Sequence, residues 1–475
     1  MRFLTLIILS LFSSLLFSQE QLGLRTDNYS GIHGTLMNPS HNITSLFSWD
    51  VNLVSGGFFG ATNYGYIEET NISRSARNVD DFILRRDIES PSDVGPNTLV
   101  GDFYDSNRKK YLTLFANGMG PSFMVKLRNG HSFGMFLNGR TAFSTHSIPA
   151  AVNYNVFFET PFFEFIDVED FKISAMAWGE LGFNYAAKID TYDGYMGLGI
   201  NLKFINAFEA AYLHSKRTTS SAQVPGDTLL FQSPHLNYGI TNSNLEGEAP
   251  SPSSNGFGVG VDLGFTYVYE GDEDHYKWKI GASLLDLGQI ELSQNAEAHN
   301  IVTDSLVVFP QLDFNAITNR ERINLLSQIG LGDPDASFSS QSFRIGLPGA
   351  LSVQGDYMFT PNVYIHGVLI QRIPMGPNSL LRNNLLAVTP RFEHRWFGAA
   401  LPVVLLNYQK LSMGTSIRLA FLTIGSDDIG SFVRKGNLDS TDFYFALKIN
   451  PFNLGLNLGR GGGRRAGKRV KCYEF

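Results

Sequence analysis

The sequence predicts an all-β fold, a transmembrane antiparallel β-barrel of about 14 strands with long extracellular loops. Three observations predict it. Phe257-Gly-Val259-Gly-Val261-Asp-Leu263-Gly-Phe265-Thr-Tyr267-Val-Tyr269 alternates strictly, with large apolar or aromatic side chains at the odd positions. A strand with lipid on one side and a polar lumen on the other is written this way, and terminal tyrosines fit an interfacial aromatic girdle. Second, similar alternation recurs along the 475 residues, separated by connections that are in turn long and short. Third, 38 Phe, 19 Tyr and 47 Gly suit many aromatic-anchored strands with close backbone approaches. A net charge of −7 gives no global attraction to nucleic acid.

Residues 1–18 read as a signal peptide, with Arg2 before an apolar run from Leu4 to Phe17. A cut after Ser18 leaves Gln19 first, although Leu16 is larger than such sites prefer. No later run of 18 apolar residues supplies a transmembrane helix. Residues 19–47 then form a periplasmic segment or a hatch in the lumen, and 48–451 the barrel.

The first strand is expected at 48–66 and the second at 111–127. Asn129-Gly130 is a type I′ hairpin signal leading to a third at 131–143. Strands at 172–190 and 196–204 flank the turn at Asp193-Gly194. Those at 257–269 and 276–280 follow a long polar loop over 214–255. The longest connection, 291–347, should hold a short helix with Asn319 as N-cap and Gly330 as its stop. Strands at 350–359, 362–373, 384–396, 399–409, 411–419, 421–430 and 442–450 complete the set. Long loops outside, tight turns in the periplasm and both termini in the periplasm are the outer-membrane pattern.

Several stretches resemble an uncharacterised outer-membrane barrel family of Bacteroidota. They are Asn28-Tyr29-Ser30-Gly31, Asn38-Pro39-Ser40, Trp49-Asp50-Val51-Asn52-Leu53, Gly120-Pro121-Ser122-Phe123, Leu285-Asp286-Leu287-Gly288, Ile424-Gly425-Ser426-Asp427-Asp428 and the tail around Cys472. More distantly, this family is similar to long-chain fatty acid transporter barrels and to barrel components of the type IX secretion system. The resemblance implies a 14-strand barrel in the outer membrane of a Gram-negative bacterium, without a known activity.

No His, Cys or carboxylate spacing suggests a metal, and no nucleophile elbow or phosphate loop occurs. The reading is non-enzymatic, without a cofactor. The lone Cys472 excludes an internal disulfide. Charged residues at lumen-facing positions of the alternation include Arg140, Lys203, Asp262, Arg391, Glu393, Arg395 and Arg418. They form a cationic conduit, a surface on which a plug docks, or internal ion pairs. Phe162, Phe163 and Phe165 crowd apolar surface into a loop, which would contact a partner, dip into the membrane interface, cap the lumen or fold back onto the barrel wall. Residues 452–475 form a basic, Gly-rich periplasmic tail in which Arg464, Arg465, Lys468 and Arg469 are candidates for an acidic partner. The function expected is therefore an accessory component of an outer-membrane protein complex, in contact with lipid and with protein partners but not with nucleic acid. The alternative is a passive transporter of hydrophobic small molecules.

Overall fold

The structure is a computed structural model. It describes residues 20–451 apart from 76–80, 91–93, 96, 107, 151–158, 226–227, 242–252, 271–275 and 310–317. Residues 1–19, read above as holding a signal peptide, and the tail 452–475, with Arg464, Arg465, Lys468 and Arg469, lie outside the described residues.

Fourteen antiparallel strands close into a barrel, one for each expected from the alternation. They are β1 (Trp49–Thr62), β2 (Leu112–Met119 continued by Ser122–Lys126), β3 (His131–His146), β4 (Phe171–Asp190) and β5 (Gly194–Ser215). Next come β6 (Gly256–Tyr269), β7 (Trp278–Leu287 continued by Gln289–Leu292), β8 (Phe343–Gly346 continued by Ala350–Thr360) and β9 (Val363–Arg372). The rest are β10 (Leu385–Glu393), β11 (Phe397–Ala400 continued by Val403–Leu406), β12 (Lys410–Met413 continued by Thr415–Leu419), β13 (Leu422–Ser426) and β14 (Ser440–Ile449). Closure is the pairing of β1 with β14, from Val51 opposite Ile449 to Ala61 opposite Ser440. Among the described residues each of the fourteen strands pairs on both sides, as a membrane requires.

Period-two alternation decides which way each side chain points. On β3, Phe133 and Leu137 are exposed while Ser132, Asn138 and Arg140 are buried inside. On β6, Phe257, Val259 and Leu263 are exposed and Asp262 is fully buried. The outer face is therefore a continuous apolar belt.

Most tight turns fall at one end, beside the start of β1 and the end of β14; the turn Asn407-Tyr408-Gln409 between β11 and β12 is short as well but lies at the opposite end. The β2–β3 turn is not type I′, because only Gly130, at φ 81°, takes a left-handed conformation. Its loop is Arg128-Asn129-Gly130, closed by Leu127 N donating to His131 O at 2.8 Å. At the β4–β5 turn a Cβ on Gly194 would lie 1.9 Å from Val268 O, so close strand approach, rather than φ, requires glycine there.

The opposite end carries more structure than polar loops. Within the 214–255 and 291–347 connections, His235–Thr241, Ala296–Val302 and Phe338–Ser340 extend the wall beyond β5. A loop sheet joins Ile166–Val168, Thr219–Val224, Thr228–Gln232 and Leu306–Phe309. A second joins Gly65–Thr70, Asp81–Leu84, Thr98–Phe103 and Gly436–Leu438. These segments were missed because their short, mixed-polarity runs carry no long alternation. The expected helix is Asn319–Leu331, with its caps displaced from the expectation. Thr318 is the N-cap in a reciprocal capping box with Glu321, and Gly332, at φ 82°, terminates the helix.

Candidate functional site: the lumen

Residues 20–47 lie inside the barrel. Short helices at Leu22–Arg25 and His41–Thr44 flank a 3-10 turn at Gly31–Leu36, and nearly every residue is buried. Such helices are too short to persist alone, so the wall must hold them. Gly31 takes φ 59°, where a Cβ would meet the Asp50 carboxylate at 2.1 Å.

The wall holds this segment by apolar packing, with Ile32 and Phe47 against Met119, Met124 and Phe136 and Leu24 against Tyr444, and by many polar contacts. Arg418 Nε donates to Asp27 Oδ2 at 2.9 Å, and its guanidinium lies 4.4 Å from the Tyr29 ring centre. Asn28 donates to Glu393 Oε2 at 2.8 Å and accepts from Lys279 Nζ at 2.7 Å. Lys448 Nζ donates to the backbone oxygens of Tyr29 and Ser30, at 2.8 and 3.0 Å. Asn201 and Ser283 donate to the oxygens of Thr35 and Met37, at 2.9 and 2.7 Å. Arg391 donates to Thr26 O and pairs with Asp356 at 2.7 Å and Glu393 at 2.9 Å. Buried backbone carbonyls of an irregular segment need such donors, and the lumen face supplies them.

Above this grip lies a charge junction centred on Asp286. Its carboxylate takes Arg140 at 2.8 Å, Lys203 at 2.6 Å and Arg382 at 2.7 Å. Arg140 also meets Glu180 at 2.8 Å, and Lys203 meets Asp262 at 2.7 Å. Asp286 has φ 53°, and β7 breaks between Leu287 and Gln289. That local turn points an extra carboxylate inward.

Beyond the junction the inward faces become apolar. On β4 the order from the tight-turn end is Asn184, Glu180, Trp178, Met176; on β5 it is Asn201, Lys203, Ile205, Ala207. On β10 it is Arg391, Thr389, Ala387, Leu385. These upper residues join Phe59, Phe115, Phe343, Val404 and Leu406 in one buried cluster. The β9–β10 connection, residues 373–384, folds in over it. Leu380 N donates to Gly346 O on β8, and Leu381 N donates to Ser144 Oγ on β3, both at 3.0 Å. Leu380 is buried in the apolar cluster, while Arg382 reaches down to Asp286.

Among the residues singled out from sequence, Arg140, Lys203 and Asp262 meet at the junction, and Arg391, Glu393 and Arg418 grip the N-terminal segment. Arg395 does not belong with them. The β10 strand ends at Glu393, so alternation stops, and Arg395 sits exposed in the turn with its guanidinium 5.1 Å from the Trp396 ring centre. Phe162, Phe163 and Phe165 are exposed by 58, 64 and 45 %, so the barrel does not cover them. Sequence reasoning missed Asp27, Asp286, Asp356 and Arg382. Asp286 had a signal, an Asp-Leu-Gly interruption of the alternation; Arg382 lies in a loop and had none. Among the described residues no group of three or more His, Cys, Asp or Glu could hold a metal ion.

The toluene transporter TbuX of Ralstonia pickettii is similar at 9 % identity, with 92 % of this chain and 98 % of that chain covered and a TM-score of 0.41. The monoaromatic hydrocarbon channel CymD is similar at 8 % identity, with 91 % and 96 % covered and a TM-score of 0.32. A FadL homologue of Pseudomonas aeruginosa is similar at 8 % identity, with 91 % and 97 % covered and a TM-score of 0.24. No curated protein matches the chain. The model of a family of unknown function, DUF5723, matches residues 67–427, and the chain belongs to that family.

Proposed function

We propose that this chain is a non-enzymatic outer-membrane channel for hydrophobic small molecules, closed in the present state at both ends. The end that carries most of the tight turns, with both ends of the barrel wall, faces the periplasm in this reading. The observation that carries it is the apolar upper lumen, bounded below by the N-terminal segment and above by residues 373–384. A water-filled pore has a polar lining. An apolar one favours a solute that gains roughly 25 cal/mol for each Å² removed from water. Residues 20–47 act as the hatch. Their grip combines apolar packing with hydrogen bonds and ion pairs, and water can replace the latter once the segment shifts. Residues 373–384 act as the outer strap, and Arg382 ties strap to junction.

Binding of an apolar fluorophore to the purified barrel tests this, with Trp178, at the base of the apolar band, as the energy-transfer donor. Saturable transfer is expected from the wild type, and Val404→Asp should weaken it. Free passage of charged solutes through reconstituted wild type, with no apolar binding, would sink the proposal.

An accessory role in a protein complex draws support from the exposed Phe162, Phe163 and Phe165. For this second reading, Phe163→Ser should lower recovery of a stoichiometric partner from detergent-solubilised membranes. Isolation of the wild type alone counts against it.

A further inference from the structure

Above residues 373–384 the mouth of the lumen gathers positive charge that carboxylates leave unpaired. His146 on β3 stands opposite Lys172 on β4, and Lys172 opposite His214 on β5. These positions share the parity of the buried Ser144, Ser174 and Tyr212, so they face inward. They lie two residues nearer the loops than Ser144 and Ser174, which meet the strap at Leu381 N, 3.0 Å away, and Asn378 O, 3.5 Å away. The row therefore sits directly over the strap. Arg372, at the strap's root on β9, reaches the same space from across the lumen, because His146 feels its charge together with that of Lys172.

All four side chains are half-buried, and among the described residues none of them makes a side-chain hydrogen bond or ion pair. The carboxylate that His146 and His214 feel, Asp170, is exposed to solvent. Deeper in the lumen the cations are matched: Arg140, Lys203, Arg382, Arg391 and Arg418 each meet a carboxylate. An unpaired guanidinium and ammonium in one half-buried space repel each other, and an anion between them relieves that repulsion.

We propose that this row is the entry site for the anionic head of an amphiphile, so that the compounds the channel takes are organic anions with an apolar body. Lys172 and Arg372 supply the charge. The imidazoles of His146 and His214 supply N–H donors whether or not they carry a proton charge. Ala142 and Met176, in the apolar cluster, lie four residues below the row, about 13 Å along the strands. A bound head therefore holds its apolar body against the strap, next to the chamber that favours it. The chain's net charge of −7 otherwise repels such compounds, and a positive mouth both draws and selects them. The apolar body rests on the channel reading; the head site does not.

Two probes that differ by one group separate these ideas. N-phenyl-1-naphthylamine is neutral, and 8-anilinonaphthalene-1-sulfonate adds a sulfonate to the same skeleton. Each is titrated into the purified full-length barrel, read by energy transfer from Trp178. The sulfonate should bind the more tightly, and sodium chloride should weaken it selectively, because salt screens half-exposed charges. Lys172→Gln and Arg372→Gln should each weaken the sulfonate about fivefold, the size of one solvent-screened charge contact. Both should leave the neutral probe unchanged, and Lys172→Arg should keep the sulfonate affinity. Methanesulfonate, a head without a body, should not displace the sulfonate at equal ionic strength. Equal affinity for the two probes, unchanged sulfonate binding in glutamine variants that retain the heat-modifiable band, or displacement by methanesulfonate would each overturn the proposal. Sulfonate binding that needs Lys172, with no binding of the neutral probe, would defeat the channel reading and leave the head site standing. Binding of the neutral probe alone would do the reverse.

Discussion

On β4 and β5 alike, one inward face passes from amide and charge near the tight turns to indole and aliphatic carbon near the loops. The same strands therefore build two lumens. In the lower one, wall donors such as Lys448, Asn201 and Ser283 meet backbone oxygens of an irregular segment. In the upper one, Phe59, Trp178 and Leu406 meet one another and Leu380. The difference teaches that a barrel can hold its contents in two ways. Polar contacts are strong singly and reversible in water, while apolar contacts are nondirectional and accept any greasy occupant of suitable size. Asp286 stands at the boundary.

Removing that boundary should have the largest effect. Asp286→Ala leaves Arg140, Lys203 and Arg382 around a buried gap, and loss of one partner from a buried ion cluster costs about 3–5 kcal/mol. The heat-modifiable band of the folded barrel should weaken or vanish on gels. An Asp286→Ala barrel as heat-resistant as the wild type would mean that the junction does not divide the lumen.

The two faces of β6 sharpen the comparison. Val261→Arg puts a charge against lipid at a cost of roughly 2–4 kcal/mol near the midplane. From sequence alone, Asp262→Asn would be nearly neutral, as a change on a polar lumen face. The structure corrects this. Asp262 is fully buried and accepts from Lys203 at 2.7 Å, Asn201 at 2.8 Å and Asp286 N at 2.7 Å. Losing its charge should cost about 1–3 kcal/mol, since hydrogen bonds to charged groups are worth more than neutral ones. Urea titration of refolded barrels checks both values, with Val261→Arg expected to be the more damaging.

In the lower lumen, Arg418→Ala removes the pair to Asp27 without touching a ladder hydrogen bond. The barrel should still insert, and bilayer recordings should show more frequent opening of an ion-conducting state. Silence indistinguishable from the wild type would mean that Arg418 does not hold the segment.

In the upper lumen, Val404→Thr should be mildest, at about 1–2 kcal/mol for a hydroxyl without an assured partner. Its expected signature is weaker apolar binding with unchanged conductance, the reverse of Arg418→Ala. If both variants behave alike, the two regions are one.

Alternation alone determined the fourteen strands, the lipid face and the inward placement of Arg140, Lys203, Asp262 and Arg391, because a strand's period is two whatever surrounds it. Alternation also carries its own limit: it ends where the strand ends, which is why Arg395 was misplaced. Tertiary structure decided the rest. Asp27 meets Arg418 and Asp286 meets Arg382 across 391 and 96 residues of chain. Barrel closure and the threading of residues 20–47 through the lumen bring them together, and no local pattern encodes such a distance. The division of the lumen sits between these cases. Its polar and apolar residues are written along each strand, but they become two chambers only when fourteen inward faces are set in register around one axis.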